Sequence, residues 1–155
     1  NKCERIQSCS CRIKLNCPLQ NKCLTDKGIY KAVVENDIDT EKKYYIGLTE
    51  GSFKERYSNH KKSFTHKKYQ KETELSKYVW ELKEQQKHPS VIWSIIKVVN
   101  TKCSSKYCKL SLMEKLYIIK SLDDINMLNK RSELVSKCRH QNKFLLKNYK
   151  DDSND

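Results

Sequence analysis

Two sets of residues in this chain have the types and spacing to do chemistry. The first is a run of thiols, Cys3, Cys9, Cys11, Cys17 and Cys23, in the pattern C-x5-C-x-C-x5-C-x5-C. Thiolates are soft ligands, and four of them make a tetrahedral structural zinc site. Pro18 and the polar residues between the cysteines suit loops wrapped around an ion, with Cys9, Cys11, Cys17 and Cys23 as the expected ligands. The spacing is not the pair of C-x-x-C knuckles of a standard site, so disulfides and free thiols stay open as alternatives. The second set is Tyr30, Tyr45, Arg56 and His60. Arginine clamps oxyanions with paired N–H groups, and histidine gains and loses a proton near neutral pH. Tyrosine can join a proton relay only if nearby cations depress its pKa from ~10.

These side chains need a scaffold, and residues 28–66 write one. Two apolar, β-branched runs at 28–34 and 44–49 flank a polar, acidic loop at 36–43, which is the pattern of a β-hairpin. A helix opens at Ser52, with Phe53, Tyr57 and Phe64 at helical spacing. Arg56 and His60 lie four apart on it and share one face. The basic stretch that follows holds Lys61, Lys62, Lys67 and Lys68. It reads either as a solvated helix end or as a strip that tracks phosphates. Thr73 is placed to cap a second helix with the apolar stripe Leu75, Val79 and Leu82, where Tyr78 and Trp80 serve packing. His88 and Pro89 end it. Residues 91–99 read as a mostly buried central strand. Residues 109–121 form a helix with Leu110, Met113, Leu116 and Tyr117 facing inward, and Glu114 is its one acidic residue. Taken alone, such a glutamate is a solvated surface group. Residues 126–129 form a turn or short edge, 132–138 and 140–149 read as short helices, and the acidic end at 150–155 is expected to be disordered.

Composition bounds the function. The chain has 155 residues, 37% hydrophobic and 33% charged, with a formal net charge of +13. That is one domain with a modest core and a surface made for a polyanion, since neutralising phosphates releases their counterions. No apolar run spans a bilayer and no basic amphipathic helix shows a Trp/Leu face, so nucleic acid is favoured and a membrane is not an expected partner. The chain begins Asn-Lys-Cys without an apolar leader, and is expected to be a piece of a longer protein. Five of the eight cysteines lie in the first 23 residues, a layout that favours zinc in a reducing compartment over a secreted disulfide framework.

The ordered set Gly28-Ile29-Tyr30, Tyr45-Ile46-Gly47, an arginine eleven residues after Tyr45 and a histidine one turn later resembles the GIY-YIG nucleases. The Cys-x-Cys-Arg run with Cys-Pro-Leu, then Thr73 to Trp80, Glu114-Lys115, Leu128 to Glu133 and Cys138-Arg139-His140, resemble more narrowly the endonuclease domain of Penelope-like retroelements, over nearly the whole chain. The resemblance implies an α+β fold, with a three-stranded, mostly antiparallel sheet flanked by helices over residues 28–149 and a Cys-rich, zinc-binding extension over 1–27. It implies a metal-dependent DNA endonuclease that nicks double-stranded DNA and leaves a 3′-hydroxyl to prime reverse transcription. The partners would be a nuclear DNA target, a longer reverse transcriptase polypeptide and its template RNA. Glu114 would hold one Mg²⁺ or Mn²⁺, Arg56 would clamp the phosphate, Tyr30 or Tyr45 would take the water's proton, His60 would assist, and Asn129 rather than Asn126 would line the site. Two departures stand out. Residues 31–44 lack the cysteine pair that many relatives carry, and Ser111 stands where many continue Cys108 as C-x-x-C. Cys103, Cys108, Cys138 and His140 could supply a second zinc site. A zinc-containing nucleic-acid-binding module, or a free-standing restriction or homing nuclease, are the alternative expectations.

Overall fold

The computed structural model describes residues 7–99 and 108–135. Its centre is a three-stranded antiparallel sheet in the order β2-β1-β3, built from β1 (Gly28–Glu35), β2 (Lys43–Thr49) and β3 (Ser90–Val98). Among the described residues three α-helices cover it: α1 (Phe53–Thr65), α2 (Glu74–Glu84) and α3 (Lys109–Lys120). The chain is therefore α+β. Among the described residues no helix is long and apolar enough to cross a membrane.

The two-residue period of the strands divides the core into two layers. Tyr30, Ala32 and Val34 of β1 join Tyr45, Trp93, Phe53, Leu75, Val79 and Leu82 on the side of α1 and α2. Ile29 and Ile46 join Leu110 and Ile118 on the side of α3. Tyr30 pairs with Gly47 across the hairpin, and a Cβ at position 47 would overlap the Tyr30 ring and hydroxyl. Glycine at that position gives the ring its place.

Two expectations are corrected. The strand at 91–99 is not central: β1 lies between β2 and β3, so β3 is an edge. Only Trp93 of β3 is buried, and Ile92 and Val98 are more than half exposed. An unbroken apolar run suggested burial on both faces, whereas β1, which carries a lysine and ends in a glutamate, took the middle. On α3 Leu110, Met113 and Tyr117 pack inward as expected, but Leu116 is exposed, and Ser111, Lys115 and Ile118 are buried instead. The helix is apolar nearly all round, so its periodicity did not fix which face turns inward.

Local signals set the element ends. Ser52 accepts the Glu55 N–H to cap α1, Thr73 and Ser76 form a reciprocal capping box on α2, and Cys108 Sγ accepts the Ser111 N–H at the start of α3. The hairpin loop is folded on itself by Asn36 and pinned to the corner before β3 by Lys87–Asp39 and His88–Asp37 pairs at 2.8 and 2.7 Å. Residues 126–129 run beside β2, where Met127 bridges Tyr44 in parallel. A 3-10 turn follows at Arg131–Val135. The Cys-rich extension is not a detached lobe: Leu19 is buried in the same core as Tyr30 and Phe53. Cys3, Cys103, Cys138, His140, the expected helices beyond residue 135 and the acidic tail lie outside the described residues.

Candidate active site and metal centre

The face of α1 that carries Arg56 and His60 lies against Tyr30. Arg56 Nε–H donates to Tyr30 Oη at 3.2 Å, and Tyr30 Oη lies 2.7 Å from His60 Nε2. The tyrosine oxygen accepts from arginine, and it donates its own proton to the imidazole when His60 carries its proton on Nδ1. The order is Arg56, Tyr30, His60. Using Nε for this contact leaves the two Nη groups of Arg56 as a fork for an oxyanion. Trp93, Phe53 and Phe64 wall the imidazole and phenol, with the His60 and Trp93 rings 5.2 Å apart. Tyr45 packs edge-on to His60 with ring centroids 6.3 Å apart.

Burial governs the protonation of this group. The Tyr30 hydroxyl is pushed up to about 12 by burial, although Arg56 pulls the other way. Tyr45 is also raised well above its ordinary value, first by burial and then by Tyr30. The expectation that arginine would depress a tyrosine is therefore met in sign and overcome in sum. His60 is pushed down to about 3 by burial and by Arg56, so its ring is neutral at any physiological pH.

Glu114 comes from the middle of α3, across β2 from this chain. Its carboxyl is pushed up to about 7 by burial and by Glu133, while Lys115, Arg56 and the Leu48 backbone N–H pull it down. Glu133 is itself raised by burial, against hydrogen bonds from the Lys130 backbone and the Asn129 side chain. A half-buried carboxyl group whose protonation is held up by a second carboxyl suits a hard divalent cation, which takes oxygen ligands and removes the repulsion. Glu133 is the participant that the sequence did not flag, because a glutamate in a 3-10 turn carries no periodic signal.

Asn129 is buried, and its role is specific. Its side-chain oxygen accepts the Ile46 N–H and its amide donates to the Ile46 carbonyl, both at 2.8 Å. It completes the outer edge of β2 between Tyr45 and Gly47. Asn126 instead lends its carbonyl to the Tyr44 N–H at 2.9 Å. Lys61, Lys62, Lys67 and Lys68 are all exposed along the C-terminal half of α1 and the turn after it. Lys61 lies over the Tyr57 ring, and Lys62 and Lys68 lie over Tyr69.

The Cys9, Cys11, Cys17 and Cys23 sulfurs lie within 4.8 Å of one another and could hold a metal ion. Cys11–Cys23 and Cys9–Cys23 are 3.7 and 3.6 Å apart. Sulfurs ~2.3 Å from a tetrahedral zinc would stand ~3.8 Å apart, so the spacing fits that ion and is far from a disulfide bond. Burial and the neighbouring thiols push Cys11 up to about 12. Burial also raises Cys17, but N–H groups of Leu19 and Asn21 outweigh it and bring that thiol down to about 6. Gln20 and Asn21 adopt positive φ, 45° and 71°, in the turn that presents those N–H groups. Of the expected second set, Cys108 alone is described, buried beside Leu110 and Ile118. Comparison of the chain with protein-family models, curated proteins and solved structures finds no match in any of the three.

Proposed function

We propose that this protein is a metal-dependent DNA endonuclease of the GIY-YIG type, a nickase belonging to a retroelement of the Penelope-like kind. The observation that carries the reading is the hydrogen-bonded order Arg56, Tyr30, His60, with two acidic groups, Glu114 and Glu133, felt at the same tyrosine. Packing alone needs no guanidinium on a buried phenol. Phosphodiester hydrolysis needs a cationic clamp, a proton acceptor and a place for a divalent cation.

Glu114 is the ligand for one Mg²⁺ or Mn²⁺, with Glu133 adding negative charge. When bound, that ion supplies Lewis-acid stabilisation of the leaving 3′-oxygen and the charged phosphorus centre. Arg56 keeps Nε on Tyr30 and offers its Nη pair to the non-bridging oxygens, which a lysine could not grip with two parallel bonds. Tyr30 takes the proton of the attacking water as its own passes to His60 Nε2. In the ligand-free protein that transfer runs uphill, from a phenol at about 12 to an imidazole at about 3. A phosphate beside the imidazole and added positive charge near the phenol both shift it towards balance. Tyr45 narrows the pocket from the other side. Asn129 holds the strand that carries Tyr45 and Gly47. The four thiols take Zn²⁺, the borderline-soft ion suited to such a set.

The test is incubation of the domain with supercoiled plasmid, with and without Mg²⁺ or Mn²⁺. Metal-dependent relaxed circles support nicking. Linear product alone points to a double-strand cutter, and binding without any cleavage would leave a zinc-containing nucleic-acid module as the better reading.

A further inference from the structure

The Cys-rich segment ends on the helix that bears the candidate catalytic groups. An α-helix begins with four N–H groups that have no partner inside the helix. In α1 the Arg56 N–H makes the first intrahelical bond, to the Ser52 carbonyl, and the Glu55 N–H is taken by the Ser52 carbonyl and side chain. Two more of the four bond outside the helix. Phe53 N–H donates to the Thr25 carbonyl and Lys54 N–H to the Cys23 carbonyl, both at 2.8 Å. Cys23 is a member of the thiol cluster. Lys54 also sends its ammonium to the Ser10 carbonyl and hydroxyl, at 3.2 and 2.8 Å, between Cys9 and Cys11. Both arms of the cluster, 9–11 and 23–25, thus grip one turn of α1.

Among the described residues, this segment's own buried cluster is the thiols themselves with Leu24 packed against them. Leu19 is given to the main core, and Ile13 and Leu15 are 60% and 96% exposed. Leu24 N–H to Ser8 carbonyl, at 3.0 Å, is one backbone link between the arms. A thiol-bound ion would tie them, and at such a site binding free energy is folding free energy.

We propose that the metal at Cys9, Cys11, Cys17 and Cys23 is the positioning device of the active site: it fixes the first turn of α1, and thereby the reach of Arg56 and His60 to Tyr30. The metal centre is then an integral bracket of the catalytic helix rather than a separate nucleic-acid-binding finger. The inference rests on the reading of Arg56, Tyr30 and His60 as the reacting constellation. The lever is short, because Phe53, whose N–H is held by Thr25, packs against Tyr30 with ring centroids 5.6 Å apart. Arg56 follows one turn on, and a displacement of ~1 Å at such groups costs ~100-fold in rate.

The experiment strips the zinc from full-length protein with a thiol-site chelator, confirms the loss by elemental analysis, and restores Mg²⁺ for the assays. Three readouts are taken: cleavage of supercoiled plasmid, hydrogen exchange at the Phe53 and Lys54 amides, and the ¹⁵N shifts of the His60 ring. Expected are a cleavage loss of ~100-fold, loss of protection at those two amides while the β1 amides keep theirs, and a His60 Nε2 shift that moves away from the tyrosine-bonded value. Added zinc reverses all three. Unchanged amide protection and an unchanged His60 ring at zero zinc would overturn the proposal. Should the stripped protein unfold altogether, Lys54→Met in the zinc-loaded protein decides, because it removes the Ser10 contacts and no thiol. It should keep one zinc per chain, shift the His60 ring and slow cleavage, and an unmoved ring with full zinc overturns the idea. A protein that never cuts DNA refutes the nuclease reading, but the exchange and ring data still report on the bracket.

Discussion

At the scale of single residues, the claim most exposed to test is Glu114. Glu114→Gln keeps the shape and removes the charged ligand, so cleavage should disappear while DNA affinity stays within a few-fold of wild type. Wild-type cutting by this variant would end the assignment. A second expectation follows from its carboxyl, held at about 7 by burial and by Glu133, against an ordinary 4.5. Between those two values the folded protein keeps a proton that the unfolded chain has shed. Stability of the metal-free protein should therefore fall as pH rises through that window. Divalent-cation affinity should move the opposite way, because the ion needs the carboxylate. It should drop about tenfold for each pH unit below 7 and level off above. Calorimetric Mn²⁺ titrations on either side of pH 7 read this directly, and a flat profile would place the ion elsewhere. The sequence made Tyr30, Arg56 and His60 legible because a four-residue spacing on a helix fixes a common face. It could not show that burial lifts Tyr30 to about 12, since that depends on Phe53 and Trp93 closing over it from two other elements.

At the scale of elements, local chemistry was the readable part. The hairpin, the Ser52 and Thr73 caps and the α2 stripe all follow from short-range rules, and the structure places each where those rules put it. What was illegible is pairing between distant strands. Residues 91–99 looked central because they are the most apolar run, yet β1 takes the middle by pairing on both sides. Nothing in β3 itself records which partner covers which edge. Asn129 shows the same limit: it was expected to line the site, and its side chain does bond Glu133, but nothing in the sequence said that it also finishes the free edge of β2 by bonding both polar groups of Ile46. Asn129→Ala would strand a buried N–H and a buried C=O beside Tyr45 and Gly47. At ~1–3 kcal/mol for each unsatisfied group, the expected loss is about 2–6 kcal/mol of stability. Denaturant unfolding measures it, and cleavage should fall with it. A variant as stable as wild type, with normal cleavage, would show that the strand edge holds without the clamp.

At the scale of the whole molecule, the net charge of +13 could be counted from the sequence, but not its distribution. The structure lines up Lys61, Lys62, Lys67 and Lys68 on exposed positions that continue from His60 along α1 and round its C-terminal turn. Three of them rest on tyrosine rings: Lys61 is 5.5 Å from the Tyr57 centroid, and Lys62 and Lys68 are both 4.9 Å from that of Tyr69. The ammonium groups sit over these rings at exposed positions, which suits either a solvated helix end or a backbone-tracking strip. Counterion release separates the two. Each phosphate neutralised on duplex DNA contributes ~0.9 to the slope of log K against log salt. If all four lysines lie on phosphates, replacing them together with alanine should lower the slope by up to ~4 units and weaken binding about equally for unrelated sequences. The Glu114→Gln protein is the control, since it keeps every lysine and should keep the full slope. Fluorescence anisotropy over a salt series gives both numbers. A quadruple variant with the wild-type slope would return these lysines to the solvent and send the search for the DNA path to another face of the molecule.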